Sequence, residues 1–184
     1  VFNHTVDRTG LDQGDGAVRW YELRNLSTTP TIYQQSTFAP DTLARWMGSI
    51  AMDRQGNIAI GYSVGGSTLQ PGLRYAGRLA TDPLNELTQG ESSLQEGGGV
   101  QTGSNRWGDY SHLAVDPTDD CTFWYTGEYY ETTSASNWRT RIGSFRFPNC
   151  VNVSPTATVT GTPPTAVPTQ TSVASVTATA TACP

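Results

Sequence analysis

The sequence contains no lysine: all 11 basic side chains are arginine, set against 16 acidic ones for a net charge of −5. An acidic chain with no basic run argues against nucleic acid as a partner. Two histidines and three cysteines are too few to assemble a dedicated zinc site readily. No stretch approaches 18 consecutive apolar residues, so no transmembrane helix is expected. Helical periodicity is missing as well, since no capped window repeats apolar residues at i, i+3, i+4 and i+7. The first residues, Val1-Phe2-Asn3, show no charged-then-apolar leader. An export signal is therefore expected to have been removed or to lie upstream.

Charge is also absent from one whole segment. Residues 151–184 hold ten Thr and five Pro and no charged side chain. Such a composition cannot repay the entropy of ordering, and its prolines bias the chain toward extended conformations. It reads as a disordered linker or stalk, with a plain flexible tail as the alternative, and as a sign of an extracellular or cell-surface protein. About 150 residues remain for a folded part, a normal domain size.

What those residues do contain is strand signal. Runs rich in Trp, Tyr, Phe, Ile and Val alternate with turn clusters of Gly, Pro, Asp, Asn and Ser. Strands are predicted over 1–6, 18–24, 31–38, 45–53, 58–64, 73–79, 92–102 (weak), 106–116, 122–130 and 139–147. The order repeats. Ile50-Ala51-Met52-Asp53 superimposes on Leu113-Ala114-Val115-Asp116 with a period of 63, whereas the Arg-Trp pairs at Arg45 and Arg106 are 61 apart. The second copy thus holds two extra residues. A four-strand repeat of roughly 60 residues predicts antiparallel β-propeller blades, here in units 1–40, 41–104 and 105–150. Two to three blades cannot close a ring, so further blades are expected upstream. A β-sandwich of the same strands is the alternative.

Cys121 and Cys150 bracket the last two predicted strands. A hairpin turning near Ala135 pairs positions that sum to about 271, and Cys121 with Cys150 gives that sum. A disulfide is predicted there, in competition with two buried thiols. Cys183 has no partner in view.

The residues RWGDYS-x-x-x-VDP-x-DDCTFWYT-x-EYY, with RWMGSIAMD and VRWYELR upstream, resemble uncharacterised secreted bacterial propellers of the sialidase-like (BNR-like) type. The resemblance spans nearly all of residues 1–150 and implies a propeller ending in a Thr/Pro stalk. The Asp-box of true sialidase repeats, Ser-x-Asp-x-Gly-x-x-Trp, is not reproduced. Met52-Asp53-Arg54-Gln55-Gly56-Asn57 lacks its Ser and Trp and lies between first and second strands.

In such a blade the entry to strand one and the connection from strand two to three share an end. Arg45, Trp46, Arg106, Trp107, Asp109 and Tyr110 belong to the entries, and Glu128 and Tyr129 to the connection. Arginine offers bidentate donors and aromatic faces stack on sugar rings, which predicts a non-catalytic rim that binds a glycan or protein ligand. Purely structural Trp plugs and an Arg–Asp ion pair are the competing reading. An exo-acting, sialidase-type glycosidase is the alternative function. It would use Arg45 and Arg106 on a sugar acid and Asp109 with Glu128 as acid and base.

Gly61-Tyr62-Ser63-Val64-Gly65 matches G-x-S-x-G, with Asp109 and His112 following. No helix can start after it, so it reads as a chance match. Asp116, Asp119 and Asp120, and separately Asp12 and Asp15, cluster oxygens without the spacing of a calcium loop. No cofactor is expected, with structural calcium as the alternative. Asn3, Asn25 and Asn152 head N-x-S/T sequons.

Overall fold

A computed structural model of the chain describes residues 1–10 and 15–151. The predicted stalk from residue 152 on, Cys183, Asp12 and the Asn152 sequon lie outside the described residues. Within them the protein is all-β. Ten strands follow one another: β1 (Phe2–Asp7), β2 (Gly16–Arg24), β3 (Thr31–Phe38), β4 (Ala44–Met52), β5 (Ile58–Gly66), β6 (Leu69–Arg78), β7 (Glu91–Gln95), β8 (His112–Val115), β9 (Phe123–Tyr129) and β10 (Arg139–Phe145). Among the described residues no helix is long and apolar enough to cross a membrane.

The strands form three antiparallel meanders, β1-β2-β3, β4-β5-β6-β7 and β8-β9-β10. Each of the three repeat units predicted from the sequence holds one sheet. The sheets stay open, and no closed barrel or ring is formed among the described residues.

Sequence alternation on β5 explains how the sheets stack. Ile58, Ile60, Tyr62 and Val64 join Val18 and Trp20 of β2 in one buried cluster. The intervening Ala59 joins Leu73, Leu113, Phe123, Tyr125 and Phe147 in a second. A strand covered on both faces must be apolar on both. One face of β5 carries large side chains and the other small ones, because the third sheet fills that side with aromatics. A Cβ on Gly61 would lie 2.6 Å from the Tyr125 ring, and one on Gly127 the same distance from Leu73. Fully burying each large apolar side chain contributes roughly 1.5–3 kcal/mol.

The turns after β4 and β8 share a hydrogen-bond arrangement. Asp53 Oδ1 accepts the Gln55 N–H at 2.8 Å, and Asp116 Oδ1 accepts the Thr118 N–H at 2.8 Å. The Asp53 N–H donates to Asn57 O, and the Asp116 N–H to Thr122 O, closing the two hairpins alike. Backbone links the copies directly, with Arg54 N–H donating to Asp120 O at 2.9 Å.

Two expectations shift. Residues 106–116 were predicted as one strand, but β8 starts only at His112. The two extra residues of this copy leave 106–111 as a loop, in which Gly108 takes a left-handed φ of 61° that glycine adopts without strain. The weak run 92–102 shortens to β7, because Gly97, Gly98 and Gly99 bring the backbone against Pro71 and residues 131–133.

The Cys121–Cys150 disulfide is present, with a Cα–Cα distance of 5.6 Å. The hairpin register differs from the predicted one. Arg139 pairs with Tyr129 and Phe145 with Phe123, a sum of 268 rather than 271. The cysteines are therefore not strand partners. A turn after β10, closed by Cys150 N–H to Phe147 O at 3.1 Å, takes up the difference.

Candidate functional site

An open cleft of about 400 Å³ lies beside the third sheet. The 106–110 loop forms one wall, with Arg106, Trp107, Gly108, Asp109 and Tyr110. Gly127 and Glu128 at the end of β9 form another, and Trp138, Thr140 and Gln101 complete it. The end of β9 and the start of β10 meet the loop because all three lie at the same end of one meander.

Each wall has a local cause. Trp107 is pinned from behind: its Nε1–H donates to Ser63 Oγ at 3.0 Å, Trp46 meets it edge-on at 5.9 Å, and Tyr130 leans on it at 5.6 Å. The Gly108 N–H donates to Glu128 Oε2 at 2.9 Å, tying the loop to β9. Ser111 Oγ–H donates to Met47 O at 2.6 Å, and the Leu113 N–H to Ser49 Oγ at 2.8 Å, fastening the loop to β4. Gln101 enters through Tyr130, whose hydroxyl accepts its amide N–H at 3.0 Å.

Charge in the cleft is unevenly paired. Arg106 forms an ion pair with Asp109, its Nε lying 3.1 Å from Oδ2. Hydrogen bonding to Asp109 raises the Arg106 pKa above the ordinary arginine value. Glu128 has one oxygen on Gly108, while its other oxygen, Oε1, is buried without a hydrogen-bond partner. The aromatic walls remain open to solvent, with Tyr110 91% and Trp138 58% exposed.

Of the residues singled out in the sequence, Arg106, Trp107, Asp109, Tyr110 and Glu128 line this cleft. Trp46 backs it through Trp107. Tyr129 does not line it. Strand alternation turns Tyr129 away from Glu128, and its hydroxyl lies 3.4 Å from Glu131 Oε1. Arg45 belongs elsewhere. It is fully buried, bonded to both Asp41 oxygens and to Glu91, with Phe38 and Tyr62 beneath its guanidinium. Burial alone would lower its pKa, but Asp41 and Glu91 outweigh that and hold it above the ordinary value. The two Arg-Trp pairs part because Arg45 has acidic partners from β7 and the preceding turn, whereas Arg106 has only its own loop.

Trp138, Thr140 and Gln101 were not anticipated. Trp138 immediately precedes β10, which starts at Arg139, and an aromatic at a strand entry was the one available signal. Ser63 is 1% exposed and occupied by Trp107, and β5 runs on to Gly66 before β6 begins at Leu69. No nucleophile elbow exists there. Asp119 caps a turn, accepting from the Thr122 hydroxyl and the backbone N–H groups of Thr122 and Cys121, which together hold it at about 2. Asp15 pairs with Arg8. Among the described residues no group of three or more His, Cys, Asp or Glu gathers at metal-binding distance. The chain matches no family model, no curated protein and no solved structure.

Proposed function

We propose that residues 1–150 belong to an extracellular β-propeller whose cleft binds a glycan without transforming it, displayed on the Thr/Pro-rich stalk. The propeller reading draws on the three consecutive meanders packed face to face and on the repeated Asp turns. The extracellular reading draws on the disulfide and on the uncharged tail composition. The observation that carries ligand binding is the cleft itself. Trp107, Tyr110 and Trp138 surround one opening that also presents Arg106, Asp109, Glu128 and Gln101. Aromatic faces beside hydrogen-bonding groups are what a pyranose ring requires. No observation favours the sialidase-type alternative: the Arg45 guanidinium is buried and bonded to two carboxylates, which leaves it no capacity for a sugar acid.

Affinity electrophoresis of the purified protein through gels containing neutral, amino and acidic polysaccharides tests this. Retardation by at least one of them, lost in Trp138→Ala, is expected. Unretarded migration in every gel contradicts the proposal, as does retention unchanged in Trp138→Ala.

A further inference from the structure

The charge inventory of the cleft narrows the ligand class further, resting on the glycan-binding reading above. One arginine and two acidic side chains line it: Arg106, Asp109 and Glu128. Arg106 and Asp109 neutralise each other. Glu128 is left over. One of its oxygens accepts the Gly108 N–H, and the other is buried and accepts nothing. A desolvated carboxylate oxygen without a donor is costly, and a cation held in the cleft offsets part of that cost through space, without touching the buried oxygen. On β10, Arg139 and Arg141 stand opposite Tyr129 and Gly127 rather than opposite Glu128, and Arg139 is 3.2 Å from Glu131.

The walls point the same way. The exposed aromatic side chains of Tyr110 and Trp138 line the opening, and an aromatic ring attracts a cation to its face. Aromatic walls with one unbalanced carboxylate favour an ammonium group and repel a carboxylate ligand. We propose that the cleft selects a glycan bearing protonated amines, an oligomer of glucosamine type, and that Glu128 is its specificity-determining residue.

The test uses three soluble tetramers on the whole chain: glucosamine, its N-acetylated counterpart, and glucose, titrated calorimetrically at mildly acidic pH. Oligogalacturonate supplies the acidic control. The glucosamine tetramer is expected to bind about tenfold or more tighter than the N-acetylated one, a difference of about 1.4 kcal/mol. Added salt should erode that preference. In Glu128→Gln the preference for the amine tetramer over the N-acetylated one should vanish, the glutamine oxygen still accepting the Gly108 N–H. A thermal melt of the variant establishes that it is folded.

Equal affinity for amine and N-acetyl tetramers, a preference for the acidic oligomer, or a preference surviving in Glu128→Gln would each overturn the inference and leave glycan binding standing. Binding to none of the four removes both. Should Glu128→Gln fail to fold, the wild-type comparison and its salt dependence still decide: a salt-insensitive preference contradicts the assignment.

Discussion

Glu91 shows how much one side chain can hold. It accepts from Arg45 Nε at 2.8 Å, Tyr62 OH at 2.6 Å and Arg74 Nη1 at 2.8 Å, joining the short strand β7 to β4, β5 and β6. Burial would raise its pKa, but Arg45, Tyr62 and Arg74 outweigh that and lower it. Burial, with Glu91 added, pushes the Tyr62 hydroxyl up in turn. Glu91→Gln leaves Arg45 buried with one carboxylate partner instead of two. Removing one member of such a pair costs roughly 3–5 kcal/mol, so the urea midpoint should fall steeply. A midpoint unchanged from wild type would show the network to be energetically idle. Gly61→Ala acts by volume instead. The new methyl meets the Tyr125 ring, and overpacking of this kind costs about 1–3 kcal/mol. Thermal unfolding of that variant reads the cost directly.

At the scale of strands and hairpins, the disulfide closes a stretch with a sequence separation of 29 and ties the entry of β9 to the segment after β10. Replacing both cysteines with serine should lower stability by roughly 2–4 kcal/mol, and reducing the wild-type protein should match it. Reduction without effect on the unfolding midpoint would contradict a structural role. Elements were legible in the sequence where a residue's type answers to one local demand. Runs rich in Trp, Tyr, Phe, Ile and Val marked β2, β3, β5 and β9, and the matching Asp53 and Asp116 segments end in turns where each carboxylate caps a nearby N–H. The hairpin register was three residues off, because side-chain alternation does not register a turn outside the ladder. The 106–111 loop was misread as strand. Its aromatic and Asp-Tyr composition suits a strand, and only its tertiary anchors to Ser63, Met47 and Glu128 reveal otherwise. For the same reason Trp138 and Gln101 escaped notice: they reach the cleft through chain folding, and no spacing encodes that.

Across the whole molecule, several carboxylates share one direction of shift. Asp41, hydrogen-bonded to Arg45, and Asp116, capped by Thr118, lie below the ordinary carboxylate range, as do Glu91 and Asp119. A folded-state pKa below the unfolded one means that the unfolded chain binds more protons at acid pH. The stabilisation is therefore complete above the ordinary carboxylate pKa and is lost as pH falls through the folded values. Urea midpoints should hold level near neutrality and decline from about pH 4 toward pH 2, with Asp119 protonating last, at about 2. A midpoint rising in that window would reverse the assigned signs.

The cleft makes the opposite demand, since Trp138 is exposed and supports little of the core. Binding and stability should separate there. Calorimetric titration of soluble oligosaccharides, run beside thermal melts on wild type and Trp138→Ala, is the most direct measurement. Our account predicts saturable binding in the wild type, weakened about tenfold or more in the variant, with the melting temperature unchanged. Binding of equal strength in both proteins, or no binding in either, would contradict it.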